Sequence, residues 1–147
     1  MLKNSASHDV IEVLLVDDDA GDVRLTKEVL KESNVANRVS VAYDGVDALA
    51  FLHRQPPHSD APRPHLILLD LNMPRKGGQS VLAEIKQDPE LRRIPVVVLT
   101  TSNAEQDVLQ CYDLHANCYI EKPVEFDHFV AIVRSIEDFW LTRVRRP

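Results

Sequence analysis

Short β-branched apolar runs alternate along the chain with longer segments whose apolar positions recur at helical spacing. The runs Ile11–Val16, Arg38–Ala42, His65–Leu69, Ile94–Leu99 and Asn117–Ile120 predict strands. Leu66-Ile67-Leu68-Leu69 and Val96-Val97-Val98-Leu99 are apolar without alternation, the pattern of strands covered on both faces. Four helical stripes lie between them: Val23, Thr26, Val29 and Leu30; then Val46, Leu49, Ala50 and Leu52; then Val81, Leu82 and Ile85; then Val108, Leu109 and Leu114. Ser102 with Glu105 three residues on reads as a capping box, and Asp88-Pro89 closes the third helix. Strict βα alternation predicts an α/β sandwich around a parallel sheet. Residues 1–9 form a short extension and 10–147 one domain; Arg54–Pro64, with its four prolines, is a loop within it.

Composition narrows the partners. At 147 residues and 44% hydrophobic side chains, one real core is affordable and a second domain is not. A net charge of −6 argues against nucleic acid, whose binders carry a basic footprint. No apolar run approaches the roughly 20 residues of a membrane span, and the first residues lack the apolar stretch of a secretory leader. Cys111 and Cys118 are too few for a disulfide framework and read as reduced and packed. The expectation is a cytoplasmic protein that contacts neither membrane nor nucleic acid.

Open parallel sheets bind ligands beyond the carboxyl ends of their strands. Here those ends carry Asp17-Asp18-Asp19, Asp70, Thr100-Thr101 and Glu121-Lys122-Pro123. Each alone is explained by capping; together they set carboxylates, a hydroxyl and an ammonium on one rim. Crowded carboxylates repel until a proton or a cation neutralises them. An all-oxygen set with waters suits Mg²⁺. Lysine and threonine add donors for phosphoryl oxygens, so the candidate chemistry is an aspartyl-phosphate. Two rivals stand beside it. Asp17-Asp18-Asp19-Ala20-Gly21 also resembles the nucleophile motif of haloacid-dehalogenase-type phosphatases, with Asp17 as nucleophile, although no Thr-like partner or cap domain accompanies it. The other rival is a non-phosphorylated scaffold.

Leu14-Leu15-Val16-Asp17-Asp18, Leu68-Leu69-Asp70-Leu71-Asn72-Met73-Pro74, Val98-Leu99-Thr100 and Tyr119-Ile120-Glu121-Lys122-Pro123 together resemble a response-regulator receiver domain over nearly the whole chain. The resemblance implies a flavodoxin-like (βα)5 fold with strand order 2-1-3-4-5. It implies Asp70 as phosphoacceptor for a sensor histidine kinase, and Mg²⁺ (replaceable by Mn²⁺ or Ca²⁺) held by Asp18, Asp70 and the backbone carbonyl of Asn72, with Asp17 acting through water. Lys122 and Thr100 would contact the phosphoryl group, Thr100 and Tyr119 would form the switch pair, and Pro123 would follow a cis bond. Such a domain is not a turnover enzyme; it assists its own phosphorylation and slow dephosphorylation. Asp19 departs from the pattern as a third acidic neighbour able to compete as a ligand. Pro74-Arg75-Lys76 and the segment from Arg134 to Leu141 are similar to single-domain regulators paired with bacterial phytochromes.

From Glu125 to about Arg143 the chain reads as a last helix. Its apolar stripe, widened by Ile132, Phe139 and Leu141 beside Trp140, covers roughly 200°, about twice what a surface helix needs. A homodimer or partner surface follows from that width. The dispersed histidines, His53, His58 and His65 among them, read as solvated loop residues.

Overall fold

A computed structural model describes residues 10–33, 36–71, 73, 77–100, 118–121, 127 and 131, with the backbone alone for 100 and 118–121. In chain order these form β1 (Ile11–Val16), α1 (Ala20–Glu32), β2 (Asn37–Ala42), α2 (Gly45–Leu52), β3 (Leu66–Asp70), α3 (Gly78–Gln87), β4 (Val96–Thr100) and β5 (Cys118–Glu121). The strands make one five-stranded sheet in the order β2-β1-β3-β4-β5, every pair parallel. This is the expected order.

Period-two alternation splits the strand side chains between two cores. Leu14, Val16, Ile67, Leu69, Val96 and Val98 join the buried residues of α2 and α3 on one face. Val13, Leu15, Leu66, Leu68, Val97 and Leu99 join Val23 and Leu30 of α1 on the other. Covering on both faces is why β3 and β4 are apolar throughout.

Strand ends differ from the expectation in an instructive direction. β3, β4 and β5 each begin and end a residue or two later than their apolar runs. Ile94 gives its N–H to the carbonyl of Leu91 at 3.0 Å, closing the turn after α3, and Pro95 has none to give, so β4 starts at Val96. At the other end Asp70 still pairs with Leu99 and Thr100 with Glu121. A polar side chain does not end a strand whose backbone still has a ladder partner.

The stripe predicted for α2 needs correction. Asp44 caps the helix by accepting the N–H of Asp47 at 2.8 Å, and the face turned inward is Gly45, Ala48, Phe51 and Leu52. Val46 is 46% exposed. The helix closes with the N–H of Arg54 on the carbonyl of Phe51 and that of Gln55 on Ala50, with Arg54 left-handed at φ 54°. α1 and α3 present the expected faces, and Asp88 closes α3 as its C-cap.

His58 and His65 are not simply solvated. His58 Nε2 lies 2.7 Å from Oδ1 of Asp47, with its ring edge-on to Phe51. His65 Nδ1 accepts the backbone N–H of Glu12 at 2.9 Å. The predicted fourth helix, the Ser102–Glu105 box and most of the last helix lie outside the described residues. Of that last helix, Asp127 and Ala131 are helical and exposed.

Candidate functional site

The sheet reverses its winding between β1 and β3: from β1 the chain next adds β2 on one side, then β3 on the other. The crevice at that point faces the first residues beyond both strands. Asp17 follows β1 directly and gives its backbone N–H to the carbonyl of Ala42 at 3.0 Å, so the β1–β2 ladder fixes its position. Asp70 is the last residue of β3, and the N–H of Leu71 bonds the carbonyl of Leu99 at 3.0 Å. Both aspartates are buried, at 0% and 2% exposure, while Asp18 is exposed.

Asp17, Asp18 and Asp70 bring carboxylate oxygens within 4.8 Å of one another. Two buried anions and a third at the mouth repel strongly in a low-dielectric crevice. A hard divalent cation relieves that repulsion and is what an all-oxygen set of this size suits. The donors and their open side toward solvent therefore fit Mg²⁺ or a similar ion.

Asp19 is not a competing ligand. It is the N-cap of α1, with Oδ1 accepting the N–H of Asp22 at 3.0 Å, and its own N–H donates to Oδ1 of Asp17 at 3.0 Å. The acidic triplet thus divides its labour: Asp19 starts the helix and helps orient Asp17, leaving Asp17 and Asp18 to face Asp70.

One residue escaped the sequence reading. Gly78, the first residue of α3, donates its N–H to the carbonyl of Leu71 at 3.1 Å. A Cβ there would collide with the carbonyl oxygen of Asp70 and lie 2.7 Å from the Cα of Leu71. Only glycine lets the helix start press against the backbone that carries Asp70. The available signal was the Gly77-Gly78 pair at a helix start, where a turn alone needs one glycine at most.

The backbones of Thr100 and Tyr119 lie on neighbouring strands, with Val98 opposite Tyr119 and Thr100 opposite Glu121. Their side chains, together with Asn72, Lys122, the Lys122–Pro123 bond, Ile132, Phe139, Trp140 and Leu141, fall outside what the structure describes.

Comparison with known proteins agrees with this geometry. The family model described as "Response regulator receiver domain" matches residues 13–134. The chain is 51% identical over 135 residues to Response regulator Rcp1 of Synechocystis sp., covering 92% of each. Among solved structures, the phosphorylated cyanobacterial phytochrome response regulator RcpA is similar at TM-score 0.75 and 50% identity, over 89% of this chain and 94% of that one. The Mn²⁺-bound form of Rcp1 is similar at TM-score 0.74 and 50% identity, over 93% and 99%. Receivers are signalling modules rather than enzymes, take their signal from a sensor kinase, and bind Mg²⁺ or Mn²⁺ at an acidic pocket such as this one. No helix among the described residues is long and apolar enough to cross a membrane. The family match, the identity over nearly full length and the acidic crevice between β1 and β3 lead to one conclusion: this chain belongs to the response-regulator receiver family and is related to the phytochrome response regulators.

Proposed function

We propose that Asp70 accepts a phosphoryl group from a phosphohistidine on a sensor histidine kinase, and that the kinase is a phytochrome. The observation that carries the reading is the buried Asp70 carboxylate at the winding reversal, with the oxygens of Asp17 and Asp18 within 4.8 Å. An Asp70 carboxylate oxygen attacks phosphorus, the P–N bond to the histidine breaks, and the released imidazole takes up a proton. A divalent ion held by Asp17, Asp18, Asp70 and the carbonyl of Asn72 supplies charge neutralisation when bound. The β3–β4 ladder holds the backbone of Asp70 in place through the approach.

Lys122 and Thr100 contact the phosphoryl oxygens in this reading. Thr100 is drawn toward the new charge and Tyr119 turns inward behind it, so that phosphorylation biases an existing two-state equilibrium. The likeness to the cyanobacterial phytochrome response regulator RcpA supports the phytochrome assignment, and a phytochrome kinase partner would place the chain in the cytoplasm. The broad apolar stripe around Ile132, Phe139, Trp140 and Leu141 supports a homodimer. Asp17 as the nucleophile of a phosphatase is disfavoured, since the chain matches the receiver family over residues 13–134 and Asp17 Oδ1 already receives the N–H of Asp19.

A small-molecule phosphodonor with Mg²⁺ tests the proposal. One phosphoryl group per chain by intact mass, absent from Asp70→Asn, is expected. Steady phosphate release that survives Asp70→Asn would move the nucleophile elsewhere. Sedimentation of both forms reports whether the dimer forms and responds.

A further inference from the structure

The sheet's β2 edge offers a second surface, away from the acidic crevice. A groove of about 1260 Å³ runs between α1 and β2, from Val10 at its lower end to Tyr43 at its upper. Arg24, Lys27 and Lys31 line it at i, i+3 and i+7, hence on one side of α1. None of the three makes an ion pair with a described residue, whereas Arg38 is already committed to Glu12 at 2.8 Å. Glu28 is the single acidic residue in the lining. This positive strip stands on a chain whose net charge is −6.

The other wall is the outer edge of β2, which has no partner strand among the described residues. The N–H of Ile11 bonds the carbonyl of Ala36 and that of Asp17 bonds Ala42, so even-numbered residues of β2 turn their backbone groups toward β1. The N–H and C=O of Val39 and Val41 consequently point outward. A six-residue strand spans roughly 20 Å, enough for an extended segment of similar length.

We propose that the α1–β2 groove docks an extended acidic segment of a partner protein, added to the sheet as a strand beside β2. Backbone pairing with Val39 and Val41 gives the affinity, and Arg24, Lys27 and Lys31 select for carboxylates. Charge argues against residues 1–9 as the occupant, since Lys3 and Asp9 cancel. It argues equally against a second copy placing this same positive strip against its own image. The surface lies at the opposite edge of the sheet from β5.

The probe is a blocked, fluorescein-labelled peptide of alternating Glu and Val, with a Lys/Val peptide as its control. Anisotropy should report salt-sensitive binding of the acidic peptide alone, with amide shifts mapped by NMR to α1 and β2. Arg24→Glu/Lys27→Glu/Lys31→Glu should weaken it by about tenfold or more, the combined effect of three exposed charge contacts. Val39→Pro removes an outward donor without touching the β1–β2 ladder and should weaken binding with the charges intact. Unchanged Asp70 phosphorylation in both variants confirms that they fold. Equal binding of both peptides, shifts mapped elsewhere, indifference to Val39→Pro, or self-association of the free chain through β2 would each overturn the proposal.

Discussion

Replacing Gly78 with alanine probes the seat of Asp70 directly. The new Cβ would meet the carbonyl oxygen of Asp70 and sit 2.7 Å from the Cα of Leu71. Carbon atoms rest at about 3.5–4.0 Å, so α3 and the end of β3 must part by roughly 1 Å. Overpacking costs about 1–3 kcal/mol, and the upper end applies because both colliding groups are backbone. Helix propensity returns less than the roughly 1 kcal/mol of a helix interior, because Gly78 is the first residue of α3, leaving a loss of about 2–3 kcal/mol. The chemical consequence is larger. A displacement of about 1 Å at a reacting group can cost on the order of 100-fold in rate. Urea unfolding gives the stability, calorimetry the divalent-ion affinity, and intact mass the rate of phosphoryl uptake. Gly77→Ser is the paired control: Gly77 is an N-cap with no side-chain bond, and nothing lies within 4 Å of its would-be Cβ. A serine there should gain a few tenths of a kcal/mol by capping α3. If Gly78→Ala matches the wild type in stability and uptake, or if Gly77→Ser is equally damaging, the close-approach argument is wrong.

Other substitutions test separate parts of the molecule. Asp18→Asn removes the exposed member of the carboxylate cluster, and should weaken divalent-ion binding by at least about tenfold while raising the urea midpoint of the metal-free protein. Burial pushes the imidazole of His65 below its usual 6.5, the Glu12 carboxylate pulling the other way, and Nδ1 needs to stay unprotonated to accept the Glu12 N–H. Its contribution to stability is therefore complete above about pH 6.5, declines as pH falls below that, and levels off beneath the folded-state pKa; His65→Gln should flatten this part of a pH series of urea midpoints. Lys86 Nζ donates to the carbonyls of Arg92 and Ile94 at 3.2 and 3.0 Å, so Lys86→Met should cost about 1–2 kcal/mol by urea unfolding. Arg54 holds a left-handed conformation at the end of α2, and Arg54→Gly should add up to about 1 kcal/mol to thermal or urea stability, less whatever its bond to the carbonyl of Ala61 contributes.

Much of the fold was legible because a doubly covered sheet writes itself into the sequence. Leu66–Leu69 and Val96–Leu99 carry the unbroken apolar pattern of strands covered on both faces, and the acids closing β1 and β3 marked the rim. What the pattern could not show was backbone in contact with backbone. The fit of Gly78 against Asp70 involves no side chain, so it leaves no periodicity and no charge signature. Asp19 misled for a related reason: its composition matched a ligand, while its position one residue before α1 made it a cap. The α2 stripe erred because Val46 is apolar yet lies on the outer side of a helix whose phase Asp44 sets. His65 looked like a loop residue until β1 and β3 paired and brought the Glu12 amide to its ring.

The central claim is that Asp70, among three clustered aspartates, is the one that takes the phosphoryl group. An acyl phosphate can be reduced by borohydride, converting the modified aspartate to homoserine, which peptide mass mapping then locates. After treatment with phosphodonor and Mg²⁺, the account predicts homoserine at position 70 alone, lost when the metal is chelated beforehand. Homoserine at position 17 or 18, or labelling at 70 that is indifferent to the metal, would contradict it.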